Sequence, residues 1–391
     1  MTGLDRDTLK AALALALAAA VSLGTARFSY ALLLPPMRAD LGWSYFTAGA
    51  MNTVNAAGYL LGALALPRLL RHLDARAVMV AGGAAAALLL ALHGAVRSDL
   101  TLMILRGACG VASAASFVCG GVLAARLASQ AGSRAGHVLG LCYGGTGLGI
   151  VASALVVPPF VADAAIGWPT AWAVLGALSL AATVLTWSGT RSLHAPPAAG
   201  APRARLALRP FAWGLAGYLM FGLGYIGYMT FIVTLLREQG LSAGTVTRFY
   251  VVLGLGVVAS SWLWAGLLQR HRSGRPMAVL NALLALATAL AVFSAQPLVV
   301  FFSGALFGSV FLSVVASTTA LVRHNAEPVQ WPAGISAFTI VFAAGQILGP
   351  SLTGAIADGP GGLLRGLAWS AGALALGAVF AALQRSLPRA A

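Results

Sequence analysis

Apolar residues in this chain run in blocks of about twenty or more, and the polar residues collect in short breaks between them. Such blocks lack both the alternation of a half-buried strand and the narrow stripe of a soluble amphipathic helix. A helix needs about 20 mainly apolar residues to cross the hydrocarbon of a bilayer. Twelve blocks can be drawn, near 11–36, 45–67, 77–96, 100–125, 136–160, 169–188, 211–236, 246–268, 276–295, 297–322, 332–356 and 363–384. The expected class is therefore an all-α integral membrane protein with 12 transmembrane helices. The first block is long enough to span and leads straight into further spans, so it is expected to stay in the mature protein.

Composition agrees: 59% of residues are hydrophobic, 8% are charged and the mean hydropathy is +0.88, which excludes an ordinary water-soluble domain. A net charge of +15 would suggest nucleic acid in a soluble protein, so its placement matters. With the N-terminus inside, seventeen of the 24 basic residues fall on the inner side, five on the outer side and two, Arg27 and Arg106, within spans. The positive-inside rule then puts both termini in the cytoplasm and turns the charge into a topology signal. Membrane lipids and a small molecule are the expected partners; nucleic acid is not. Cys109, Cys119 and Cys142 lie inside blocks without a CxxC pair and read as packing residues. His93 and His137 lie near span ends, where solvation is expected, and neither has a metal-spaced partner. No metal or cofactor is called for.

The second half of the chain repeats the plan of the first. Arg71-His72-Leu73-Asp74-Ala75-Arg76-Ala77-Val78-Met79-Val80 follows block two, and Arg270-His271-Arg272-Ser273-Gly274-Arg275-Pro276-Met277-Ala278-Val279 follows block eight, 199 residues on. Between the halves, 188–210 is rich in alanine, proline and arginine and reads as a cytoplasmic linker. The expected domains are a six-helix bundle over 1–187, the linker over 188–210 and a second bundle over 211–391. Transporters built from such repeats bind substrate near the midplane and rock their halves around it.

Several motifs sharpen this. Leu102, Arg106, Gly110 and Ala114 match the span 4 pattern of the major facilitator superfamily, with Cys109 in place of its glutamine, and Arg71 stands where the family's loop after span 2 has aspartate. Gly24-Thr25-Ala26-Arg27-Phe28, Leu33-Leu34-Pro35 and Asn55-Ala56-Ala57-Gly58-Tyr59 are similar to the YbfB/YjiJ-type bacterial branch. The resemblance implies two pseudo-symmetric bundles, alternating-access transport across a bacterial inner membrane and a monomer, with spans 1 and 4 bordering a central cavity.

An ionisable group inside a span costs at least about 2.5 kcal/mol at the centre and normally pairs or faces a wet cavity. All nine carboxylates can be placed in loops, tails or span ends, so neither Arg27 nor Arg106 has a buried acid. A rise of ~1.5 Å per residue puts Arg27 about 14–16 Å and Arg106 about 10 Å below the outer ends of their spans. Guanidinium pairs with carboxylate or phosphate through two parallel hydrogen bonds, so an organic anion, or a zwitterion, is the natural guest. Candidate binding residues are Arg27, Tyr30, Asn55, Tyr59, Arg106, Tyr143, Tyr225, Tyr228 and Gln346. Candidate coupling or gating residues are Arg106, Arg71, Arg76, Arg270, Arg275, Gly144, Gly145 and Gly149.

Gly144 to Gly149 follows no strand and lacks the lysine of a phosphate loop, so its glycines read as helix-packing positions. Ser309, Ser313 and Ser317, four apart, suggest hydrogen bonds between helices. No Ser/His pair, carboxylate dyad or metal cluster suggests an enzyme. An exporter of amphiphilic compounds, and from another class a non-transporting membrane receptor or an intramembrane enzyme, remain the alternatives to an anion carrier.

Overall fold

The computed structural model describes residues 5–162, 167–193 and 206–387. Arg203 and Arg205 of the expected linker, Asp163 and Arg389 lie outside the described residues. The described residues form twelve long helices: α1 Arg6–Leu41, α2 Tyr45–Leu69, α3 Ala75–His93, α4 Asp99–Gln130, α5 Ala135–Ala162, α6 Gly167–Gly189, α7 Ala212–Glu238, α8 Ala243–Arg270, α9 Arg275–Phe293, α10 Pro297–Asn325, α11 Trp331–Ala357 and α12 Gly362–Leu383. Eleven are long and apolar enough to cross a membrane. The exception, α2, is 25 residues long but carries Thr47, Asn52, Thr53 and Asn55, whose polarity serves contacts inside the protein.

Helix ends follow local chemistry. Ser44, Asp74 and Ser242 accept amides of the first turns of α2, α3 and α8. Gly42, at φ +67°, ends α1 in the left-handed conformation that glycine adopts without strain. Pro35 and Pro36 lie inside α1 and Pro158 and Pro159 inside α5, each withdrawing a backbone donor from its helix.

The packing repeats with a shift of six helices. In the first half α2 packs on α4, α3 on α4 and α6, and α1 on α5; in the second α8 packs on α10, α9 on α10 and α12, and α7 on α11. Two seams join the halves, α5 against α8 and α2 against α11, which exchange under the same shift. Small residues make these approaches possible. A Cβ on Gly149 would lie 2.8 Å from Gly24 Cα in α1, and one on Gly147 would lie 2.7 Å from Val258 N in α8.

At the end that the charge bias places outside, the halves are fastened together. Asp358, at the end of α11, accepts the amides of Tyr45 (2.7 Å) and Phe46 (2.9 Å), the first two residues of α2. The Tyr45 hydroxyl donates to Glu238, whose carboxylate is also 3.7 Å from Arg38. Beside this fastening, a groove of about 440 Å³ runs between α1, α5, α7 and α8, lined by Leu32, Pro35, Pro158, Val233 and Arg237 among others.

Two sequence expectations change here. Span 1 is not one uniform α-helix, because Ala20–Phe28 is wound as a π-helix. His93 is not solvated: it is fully buried, stacked 4.7 Å from the Trp172 ring, with Nδ1 2.7 Å from Leu89 O. Helix α6 folds over the end of α3 and brings that indole onto the imidazole. His137 is exposed, as expected.

Candidate functional site

The π-helical stretch sets up the middle of the protein. Its sequence, Ala-Val-Ser-Leu-Gly-Thr-Ala-Arg-Phe, combines small residues that admit α5 with hydroxyls that bond locally: Thr25 Oγ1 donates to Val21 O (3.1 Å) and Ser29 Oγ to Thr25 O. A π-helix bonds i to i−5, and the Ser29 amide accordingly donates to Gly24 O (3.1 Å), whereas the Leu32 amide tightens onto Ser29 O (3.0 Å). Over this change of winding, two backbone carbonyls accept side chains of other helices. Arg106 Nη1 donates to Ala26 O at 3.1 Å, and the Tyr250 hydroxyl donates to Phe28 O at 2.6 Å.

Arg27 is the one charged residue of that stretch and is 5% exposed. Its Nη2 donates to Gln346 Oε1 of α11, so the guanidinium bridges the two halves. Its Nε is buried without a hydrogen-bond partner. The guanidinium carbon is 5.9 Å from the Tyr59 ring centroid and 6.0 Å from that of Phe28, and Phe311, which Phe28 meets edge-on, stacks on Tyr225 of α7. Cation–π attraction holds such a charge on the ring faces without consuming its hydrogen-bond donors. Neither Arg27 nor Arg106 is in either of the ion pairs found among the described residues, Arg38–Glu238 and Arg97–Asp40.

Arg106 shares the unpartnered, buried Nε but is held by more partners. At 1% exposure it donates Nη1 to Ala26 O and Nη2 to Asn52 Oδ1 (2.7 Å), and its guanidinium carbon lies 4.7 Å from the Tyr30 ring centroid. Tyr30 is fixed by donating to Ala48 O (2.9 Å), and Asn55 donates to Arg106 O (3.0 Å). Arg106, Tyr30 and Asn55 thus form the backing of the site and brace α1, α2 and α4. Asn52 extends that backing across the seam by donating to Thr230 Oγ1 of α7 (2.7 Å).

The structure therefore gathers Arg27, Tyr59, Tyr225 and Gln346 from the expected binding set. It does not bring Tyr228 to them: Tyr228 stacks on Phe307 (3.9 Å) and shares a hydrogen bond with Ser303 (2.8 Å) inside the second half. Both tyrosines meet α10, Tyr225 at Phe311 and Tyr228 at Phe307 and Ser303, and the hydroxyl of Tyr228 is taken up there. Tyr143 packs on Phe117 (5.9 Å) and lines a small recess with Ser116 and Gly121.

Of the gating candidates, Arg76 donates to Thr190 Oγ1 (3.2 Å) and Trp187 O (2.7 Å), tying α3 to the end of α6. Arg71, Arg270 and Arg275 are exposed. Gly144 faces Val258, and Gly145 and Gly149 lie against the backbone of α1. In the serine stripe only Ser313 reaches another helix, at Ser260 O (3.2 Å); Ser309 and Ser317 bond back into α10.

The part of the site that residue types had not revealed is aromatic. Tyr218, Phe221, Tyr225 and Phe342 stack nearly parallel, with centroids 4.8 Å apart for Tyr218–Phe342, 5.3 Å for Phe221–Phe342 and 4.7 Å for Phe221–Tyr225. Tyr225 continues the stack to Phe311 at 6.0 Å, and Phe311 meets Phe28 edge-on at 5.7 Å. The spacing of Tyr218, Phe221 and Tyr225 carried this signal on one helix face; the contributions of α10 and α11 required the fold.

A family model described as the uncharacterised MFS-type transporter YbfB matches residues 19–382. No curated protein matches. Among solved structures, the nucleoside transporter NupG is similar with a TM-score of 0.73 at 16% identity, over 96% of this chain and 98% of that one. A bacterial homolog of the human lysosomal transporter Spinster, inward-facing and unoccupied, gives 0.69 at 14% over 97% and 96%. The human organic anion transporter MFSD10 (TETRAN) gives 0.62 at 14% over 97% and 100%. At these identities the solved structures establish the fold alone. Together with the family match, the twelve-helix arrangement defines a transporter of the major facilitator superfamily rather than an enzyme. Within that class the chain belongs to the YbfB-type family.

Proposed function

We propose that the protein moves a small organic anion, carboxylate-like in its charged group, across a bacterial inner membrane by alternating access, with both termini cytoplasmic. One observation carries this reading: Arg27 stands between the halves with a buried Nε–H that no protein group accepts. A charged donor left unpaired in a low-dielectric interior is costly, and a carboxylate satisfies it through the paired bonds that guanidinium geometry favours. Gln346 occupies part of Arg27 in the empty protein, so an arriving anion competes with the bond that links the halves. Arg106 also has an unpartnered Nε, but its terminal nitrogens bond Ala26 O and Asn52 Oδ1 within the first half, so it holds the backing and serves coupling, whereas Arg27 reaches across to the second half. The bundles 1–187 and 211–391, joined by 188–210, are the bodies that rock. The protein works as a monomer, since each chain has its own two halves and seam.

Nucleoside and organic anion transporters share this fold at similar distance, so the cargo is argued from the site alone. The test is a thermal-stability screen of purified protein against small carboxylates, followed by uptake into liposomes. Acidic ligands are expected to raise the melting temperature of the wild type and not that of Arg27→Ala. Equal stabilisation of both would remove Arg27 as the anchor, and a ligand that binds but never crosses a sealed bilayer would favour a receptor.

A further inference from the structure

We infer that the groove between α1, α5, α7 and α8 is a site for an anionic phospholipid, with an acyl chain along its apolar floor and the phosphate on Arg237. The site is separate from Arg27 and does not depend on the cargo.

The two seams that exchange under the six-helix shift end differently on the outer side. Ser44 accepts the Thr47 amide at 3.0 Å and Ser242 the Thr245 amide at 3.2 Å, so α2 and α8 begin alike and Ala243 stands where α2 has Tyr45. At the α2–α11 seam the backbones touch: a Cβ on Gly354 would lie 2.2 Å from Tyr45 O, and Asp358 takes the Tyr45 and Phe46 amides. The Tyr45 ring fills the space beside it, packing edge-on against Phe231 at 6.2 Å. At the α5–α8 seam a tight contact lies at mid-helix, where a Cβ on Gly147 would be 2.4 Å from Gly254 O. The outer turns there, with alanine in place of the ring, enclose the groove instead.

Depth and lining match a lipid tail. Leu32, Val157, Val233 and Val246 are buried and the rim residues Pro158 and Val161 partly exposed, so the walls are apolar from floor to rim. A rise of ~1.5 Å per residue puts Leu32 about 14 Å below the end of α1 at Leu41 and Arg237 within one turn of the end of α7. That depth is the outer half of a hydrocarbon core about 30 Å thick. On the same helices Leu155 of α5 and Leu255 of α8 are 59% and 54% exposed, marking a flank that meets lipid. An apolar groove holds no ordered water, and a chain that fills it restores the dispersion contacts its walls lack.

Charge sets the headgroup. Arg237 is the one charged residue lining the groove; it is exposed, gives Nη1 to Leu241 O at 2.9 Å and is in neither of the ion pairs found among the described residues. Glu238, next in the chain, is turned to Arg38 and the Tyr45 hydroxyl. Guanidinium binds phosphate through paired donors, and at the mouth of an apolar slot it meets the phosphate where a lipid carries one. Basic groups between spans hold anionic headgroups in this way. A free phosphate would meet Arg237 without the walls, and a neutral acylglycerol the walls without Arg237. An anionic lipid uses both.

The experiment uses the purified full chain in detergent, with binding read by native mass spectrometry and thermal shift. The probes are phosphatidylglycerol, diacylglycerol with the same chains, and glycerol phosphate. Phosphatidylglycerol is expected to bind about threefold or more tighter than diacylglycerol, the range of an exposed charge pair, and glycerol phosphate not to bind measurably. Arg237→Gln is expected to remove that preference while keeping diacylglycerol binding, and Arg237→Lys to retain part of it. Ala243→Trp, which fills the groove without changing its charge, is expected to weaken both lipids about tenfold, and Val161→Phe repeats the test should that variant not fold. Arg27→Ala is expected to bind both lipids as the wild type does. Equal binding of the two lipids by the wild type, undiminished phosphatidylglycerol binding in a folded groove-filling variant, or its loss in Arg27→Ala would each overturn the assignment. Glycerol phosphate binding as tightly as phosphatidylglycerol would overturn the lipid and leave a site for free phosphate esters.

Discussion

The two intramembrane arginines show how neighbours decide what a charge is for. Arg106 has its terminal nitrogens engaged by Ala26 O and Asn52 Oδ1 and a ring face against it, so it stabilises the arrangement that buries it. Removing one of those acceptors exposes the cost. Asn52→Leu is expected to destabilise the protein by about 3 kcal/mol, as an unpaired buried charge does, whereas Asn55→Ala, which removes a bond to a backbone carbonyl, is expected to lose about 1 kcal/mol. Thermal unfolding of the two variants side by side checks the ordering. Both arginines and the absence of any mid-span acid were legible in the sequence. Their different roles were not, because the deciding acceptors lie on other helices: a carbonyl of α1 and an amide of α2 for Arg106, and Gln346, 319 residues away, for Arg27.

Among the elements, α1 departs furthest from expectation. The positions of all twelve helices follow from block length and the breaks between them, and the repeat after blocks two and eight corresponds to a real equivalence of packing. The π-helical stretch over Ala20–Phe28 has no such signature, since it contains no proline, and the carbonyls of Ala26 and Phe28 are bonded from α4 and α8. Each residue of an α-helix turns the chain by about 100°, so an inserted or deleted residue there re-aims everything beyond it. Deleting Ala20 is expected to leave helix content by circular dichroism nearly unchanged and to abolish anion binding, because Arg27 would no longer face Gln346. Gly149→Val is expected to prevent stable folding, measured as loss of a monodisperse species, since its Cβ would press on α1.

For the whole molecule, the connection between halves is distributed unevenly. Bonds cross the middle at Arg27–Gln346, Asn52–Thr230 and Tyr250–Phe28, and a cluster of Arg38, Tyr45, Glu238 and Asp358 closes the end that charge bias places outside. Spectroscopic distances between labels on the loops after α1 and α7 report whether that end parts. Combining Glu238→Gln with Asp358→Ala is expected to raise the fraction open there about tenfold, equivalent to about 1.4 kcal/mol. The closing contact has a further consequence. The amides of Tyr45 and Phe46 begin their helix, and every helix start has spare donors that water can take. Asp358, too, is hydrated readily once the halves separate. Parting them leaves no stranded polar group on either side, so the fastening itself holds little energy in reserve. On the proposed reading, a carrier closed in this way is expected to have no strong built-in preference for either membrane face.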